Sequence, residues 1–104
     1  MLLSERRWRA EICRDHPALE GELEAVIATV EEPDIICEDA DFPERDCYYR
    51  RGAIARYPRF WLKVVVEPPN INPEDGFVIT AFIVDNIEGT ERVRWQKREH
   101  DNSP

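Results

Sequence analysis

Positive charge is short in this chain. Its 104 residues hold 14 lysines and arginines against 22 aspartates and glutamates, a net charge of -8. Tight, non-specific binding to phosphate backbones relies on basic surfaces, so this balance weighs against that class. No apolar run approaches the ~20 residues of a membrane-spanning helix, and no membrane partner is expected. Only four glycines occur, none in a phosphate-cradling loop. The two histidines, His16 and His100, lack a zinc-ligand spacing, and there is no Ser-His-Asp set. The three cysteines (Cys13, Cys37, Cys47) include no CxxC pair. An odd count of this kind fits a reducing compartment, and cytoplasm is the expected location. Cys37 and Cys47 can face each other on neighbouring strands, either bridged or as reduced thiols. The opening Met1-Leu2-Leu3-Ser4-Glu5-Arg6-Arg7 sets apolar residues ahead of charges, the reverse of a secretory signal.

What the chain does have is long apolar strand. Phe60–Glu67 and Gly76–Val84 are rich in Val, Ile and Phe, and each carries one polar residue at its centre, Lys63 and Thr80. A buried, unpaired ammonium is costly, so Lys63 must meet water, a partner or a site. Hydrophobic content of 42% with three tryptophans marks a globular chain. Its length suits one domain, residues 1–95, followed by a polar tail, residues 96–104.

Ser4 is placed to cap a first helix running to about Cys13, with Trp8 and Ile12 on one face. Pro17 suits a first helical position, which sets His16 at or beside the cap of a second helix. Leu19, Leu23, Val26, Ile27 and Val30 then follow at helical spacing, and Pro33 stops the helix. Strand-like pieces come next, at Asp34–Glu38 and Cys47–Arg51, before the two long strands. The short connections between them favour antiparallel returns. Val93 and Trp95 are spaced for an added edge strand. Segment 68–75, with Ile71 as its one large apolar residue, is expected to be the most mobile internal stretch. The expected fold is α+β: two N-terminal helices packed on a four-stranded antiparallel sheet.

Strand alternation assigns faces. Leu62, Val64 and Val66 point one way; Trp61, Lys63, Val65 and Glu67 point the other. The second face is expected to be concave and to bear Trp61, Lys63, Thr80 and Phe82. The Tyr48–Arg51 strand adds either Tyr48 with Arg50 or Tyr49 with Arg51, and sequence does not choose between these registers.

The order His16-Pro17-Ala18-Leu19, helix, Glu32-Pro33-Asp34-Ile35-Ile36, Tyr48-Tyr49-Arg50-Arg51, Leu62–Val66 and Val78–Phe82 resembles a phage- and mobile-element-associated nuclease-like domain. That family belongs to the barnase–EndoU–colicin–RelE fold group, and the resemblance spans roughly residues 7–95. It implies helices ahead of a four-stranded antiparallel sheet and a small metal-independent RNA-cleaving or RNA-binding domain of toxin or mobile-element type. By that resemblance His16, Arg50 or Arg51, Lys63 and Thr80 are the candidate catalytic residues. The family's further first-helix histidine has no counterpart near Ala10-Glu11. Asn86-Ile87-Glu88-Gly89 stands where a lysine commonly precedes the turn.

The chemistry of these residue types is coherent. Attack of a ribose 2′-hydroxyl on phosphate needs proton exchange and donors for an anionic transition state. As residue types, a histidine at 16 can exchange protons, an arginine at 50 or 51 can clamp phosphate, Lys63 can add a point charge and Thr80 an orienting hydroxyl. Tyr48, Tyr49 and Trp61 are candidate base-stacking rings. Ordinary roles stand beside these. His16 can be a capping residue, Arg50 and Arg51 can pair with Glu38, Asp39 or Asp41, and Lys63 can snorkel. Glu38, Asp39, Asp41, Glu44 and Asp46 lack calcium-hand spacing and read as a solvated loop, so no metal or other cofactor is expected. The expected partners are RNA, or a protein that is antitoxin-like or basic. The alternative function is a non-catalytic acidic protein-interaction module on the same fold.

Overall fold

A computed structural model describes residues 3–67, 77–87 and 89–97. Segment 68–75, expected to be mobile, lies outside the described residues.

The chain begins with a helical run, α1 (residues 5–15), made of an α-turn Glu5–Arg7, a wider π-helical stretch Trp8–Ile12 and an α-turn Cys13–Asp15. Ser4 starts it as read from sequence: the Arg7 amide donates to Ser4 Oγ at 3.0 Å. Trp8 and Ile12 both turn inward and are buried.

The second helix differs from expectation. Pro17–Leu19 forms a single 3₁₀ turn, Gly21 takes a left-handed φ of 82°, and α2 starts only at Leu23 and runs to Glu31. Only glycine adopts that φ without strain, so Gly21 ends one turn and resets the phase of the next. The stripe read as Leu19, Leu23, Val26, Ile27 and Val30 is therefore divided. Leu19 and Val26 are buried, whereas Leu23 and Ile27 are exposed at 37% and 45%. Val26 and Thr29 form the inward face, and Thr29 satisfies its hydroxyl on the Ala25 carbonyl at 2.8 Å.

Five strands follow: β1 (Ile35–Glu38), β2 (Asp46–Arg51), β3 (Trp61–Glu67), β4 (Phe77–Val84) and β5 (Arg92–Gln96). They form one antiparallel sheet in the order β4-β3-β2-β1-β5. The α+β class with an antiparallel sheet agrees with the sequence reading. The count of four strands does not, because β5 adds a fifth. Val93 and Trp95, spaced for an added edge strand, lie in it and stay exposed at the sheet edge. Gln96, expected to open the tail, closes β5, and the Lys97 amide donates to the Asp34 carbonyl.

The core lies mainly between helices and sheet. Trp8, Ile12, Leu19 and Val26 meet Leu62, Val64, Val66, Val78 and Ala81, with Ile54 closing one end. Three consecutive valines are buried because both faces of β3 are covered, Val64 and Val66 on the helix side and Val65 on the other; the register shift between Val65 and Val66 is taken up in β4, where Thr80 and Val78 are their partners.

Candidate functional site

The sheet order determines what covers the second face. β4 and β5 occupy opposite edges, so the connection joining them (residues 85–91) must cross from one edge of the sheet to the other. Ile87 from this connection packs against a second buried cluster of Cys37, Cys47, Tyr49 and Val65, rimmed by Trp61, Phe82 and Val84. The surface expected to be open and concave is therefore partly roofed.

The roof ends in a carboxylate. Glu91 Oε1 accepts from Tyr49 Oη at 2.6 Å, and Glu91 Oε2 accepts from Lys63 Nζ at 2.6 Å. The Glu91 side chain is 2% exposed and that of Lys63 12%. The lone lysine in an apolar strand is thus a paired cation. Its ammonium also lies 5.6 Å from the Tyr49 ring centroid and 5.5 Å from that of Phe82.

The pairing answers the open register question. Arg51 lies opposite Trp61 and Tyr49 opposite Lys63, so Tyr49 and Arg51 join the Lys63 face. Tyr48 and Arg50 fall on the helix side. Tyr48 is half-buried against the helix-side core, and Arg50 donates to the Glu32 carbonyl at 2.7 Å, with the Glu32 carboxylate at 3.9 Å. Neither arginine meets Glu38, Asp39 or Asp41; instead the Arg51 amide donates to Asp34 Oδ2. Thr80 pairs with Val65 across β3 and is half-buried. His16 makes no side-chain cap. It stacks on Phe82 with ring centroids 5.2 Å apart, in a shallow depression lined by Asp15–Leu19, Phe82 and Ile83. Lys63 and His16 thus share Phe82 as a neighbour, while Arg50 stands on the opposite side of the sheet.

Burial and pairing shape the titration of this cluster. Burial lowers the Lys63 pKa, but the hydrogen bond to Glu91 and the fields of Cys47, Glu91 and Asp39 outweigh it, and the net shift is upward. Burial raises the Tyr49 hydroxyl, and the hydrogen bond it donates to Glu91 adds to the shift. Cys37 and Cys47 are register partners, both free and fully buried. Burial pushes the Cys47 thiol up to about 12, so it stays protonated at neutral pH. Asp39 goes the other way. Burial alone would raise it, but amides of Phe42 and Asp41 donate to it and the Lys63 charge adds, so the net shift is downward. Glu38 and Asp46 face Arg94, at 3.6 and 2.8 Å.

A second cationic feature lies at the end of the sheet where β2 joins β3. Residues 47–66 include Arg50, Arg51, Arg56, Arg59 and Lys63 and not one acidic residue, so the rest of the chain carries the -8 minus 5, or -13. Arg51 and Arg59 have no acidic side-chain partner among the described residues, and both are exposed. Arg56 holds the Ala18 carbonyl at 2.9 Å and stands over Tyr57 at 5.6 Å. Phe60 is 41% exposed and packs at a tilt on Tyr57 at 5.9 Å. Gly52, at φ 70°, turns the chain here, and a Cβ on it would meet the Pro58 carbonyl oxygen at 3.2 Å.

Sequence reasoning missed Glu91, Arg59 and Phe60 as site residues. A lysine inside an apolar strand does require a partner, but 22 acidic residues offered no means of choosing one. Arg59 and Phe60 were legible as a basic and aromatic alternation with Arg56 and Tyr57. No family model matches the chain, and no curated protein or solved structure matches it either.

Proposed function

We propose that this chain is a small RNA-binding domain of toxin or mobile-element type, holding single-stranded RNA at the β2–β3 end of the sheet. The observation that carries the reading is the acid-free stretch 47–66, with Arg51 and Arg59 lacking an acidic side-chain partner among the described residues and exposed Phe60 beside them, in a chain otherwise strongly acidic. Guanidinium groups track phosphates, and aromatic rings accept any base face by stacking, each worth about 1–3 kcal/mol on alanine substitution. Membership of the barnase–EndoU–colicin–RelE fold group, and a cytoplasmic location, are parts of this proposal. Binding is favoured over cleavage because the inferred catalytic residues are otherwise engaged. Lys63 is spent on Glu91, His16 stacks on Phe82, and Arg50 serves Glu32.

The test is fluorescence anisotropy with a single-stranded RNA oligonucleotide between 50 and 300 mM salt. Expected is binding that weakens steeply with salt, and a loss of at least about tenfold for Arg51→Glu with Arg59→Glu. RNA scission without divalent metal would restore the cleavage reading. Absent or salt-insensitive binding would leave the second reading, an interaction module whose acidic surface, carrying -13 outside residues 47–66, meets a basic or antitoxin-like protein.

A further inference from the structure

The Glu91 carboxylate sits where the donors of an anion site converge. Lys63 Nζ and Tyr49 Oη each reach one of its oxygens at 2.6 Å, as two donors would reach two oxygens of a phosphate. The neighbouring positions lead outward to the basic end. Arg51 lies two residues beyond Tyr49 on the same face of β2, opposite Trp61, and is exposed. Arg59 and Phe60 follow directly on the loop entering β3. A strand of RNA bound at that loop would meet the Lys63–Tyr49 pair next.

Among its described residues, the connection that delivers Glu91 has few anchors. Its other described inward residue is Ile87; Asp85, Asn86, Gly89 and Thr90 are exposed, and a Cβ on Gly89 would meet nothing within 4 Å. One opposing charge belongs to the same neighbourhood. Asp39 acts on Lys63, with its carboxylate held by the Asp41 and Phe42 amides and by the Cys47 thiol at 3.8 Å.

We propose that Lys63 Nζ and Tyr49 Oη form a latent phosphate subsite, filled in the resting protein by the Glu91 carboxylate and taken over by one phosphate group of bound RNA. The identity of the ligand rests on the RNA-binding reading above; the subsite itself does not. Glu91 acts as an internal stand-in for phosphate. It keeps the lysine charged and ordered, and it makes binding at this position conditional on displacing a carboxylate.

The experiment compares wild type, Glu91→Gln, Glu91→Ala and the Lys63→Met/Glu91→Leu double variant. In thermal melts, 50 mM inorganic phosphate, against chloride at equal ionic strength, is expected to raise Tm for Glu91→Gln and Glu91→Ala by several degrees. Wild type should move little and the double variant not at all. In RNA titrations Glu91→Gln should bind at least about fivefold tighter, with a log–log salt slope steeper by about 0.7, one extra phosphate contact on a single strand. Phosphate stabilisation without any gain in RNA affinity would uphold the subsite and overturn RNA as its ligand. Equal phosphate response in all four proteins would overturn the subsite. Failure of both single variants to fold, with or without phosphate, would also overturn it, since a carboxylate that the fold requires cannot be displaced.

Discussion

The two faces of the sheet are built on different physics. The helix side buries Leu62, Val64, Val66, Val78 and Ala81 under Trp8, Ile12, Leu19 and Val26, with no ionised group in the cluster. The far side buries Cys37, Cys47, Tyr49 and Val65, and adds a lysine and a glutamate in contact. Apolar packing is non-directional, and its cost of loss scales with the volume removed. The polar cluster depends on both partners being present, because an orphaned buried charge costs more than the pair contributes. One face tolerates small shifts in shape; the other tolerates loss of both partners better than loss of one.

The largest expected effects test this contrast directly. Lys63→Ala leaves the Glu91 carboxylate buried without its cation and should cost about 3–5 kcal/mol in urea unfolding. Leu62→Ala on the opposite face should cost about 2–5 kcal/mol from lost transfer and cavity. The distinguishing result is removal of the whole polar set. Lys63→Met with Glu91→Leu and Tyr49→Phe, the last taking away the buried hydroxyl that donates to Glu91, should recover most of the loss of Lys63→Ala, whereas Leu62→Ala with Leu19→Ala should recover nothing. Equal additivity on both faces would erase the distinction.

Next in size is an alkaline sensitivity that is largest on the polar face, burial raising Cys13 and Tyr48 on the helix side as well. The Cys47 thiol is held at about 12 in the fold and titrates near ~8.5 unfolded. Below ~8.5 both states hold the proton and stability is flat. Above it only the folded state does, so raising the pH favours unfolding by up to about 1.4 kcal/mol per unit until the folded pKa is reached. Tyr49 and Lys63, also raised, add in the same direction above ~10. Urea midpoints from pH 7 to 10.5 measure this, and Cys47→Ala should flatten the first part of the decline.

The smallest expected effect separates the sequence-read helix stripe from the real one. Leu23→Lys and Ile27→Lys, at exposed positions, should each change stability by no more than about 0.5 kcal/mol. Leu19→Ala, buried in the same stripe as read from sequence, should cost about 2–5 kcal/mol. A large loss at Ile27 would mean that this face is covered in solution.

Much of the frame was fixed by sequence. Two runs of Val, Ile and Phe too long and too apolar to be loops became β3 and β4, and their short connections made the sheet antiparallel. Ser4 and the Trp8–Ile12 spacing defined the first helix. Strand alternation put Lys63 on the face away from the helices, and its charge demanded a partner. Those features are local, written in periods of two and of about four residues.

Tertiary structure decided the rest, for reasons that local patterns do not encode. A backbone turn at Gly21 reset the phase of the second helix and exposed Leu23 and Ile27. Sheet register, a relation between strands, chose Tyr49 and Arg51 over Tyr48 and Arg50 for the Lys63 face. Most of all, β5 pairs with β1 rather than with β4 beside it in sequence, and the crossing chain brings Glu91 to Lys63 from 28 residues away. A lysine's need for a counter-charge is readable in one dimension; which of many carboxylates meets it depends on where the chain crosses.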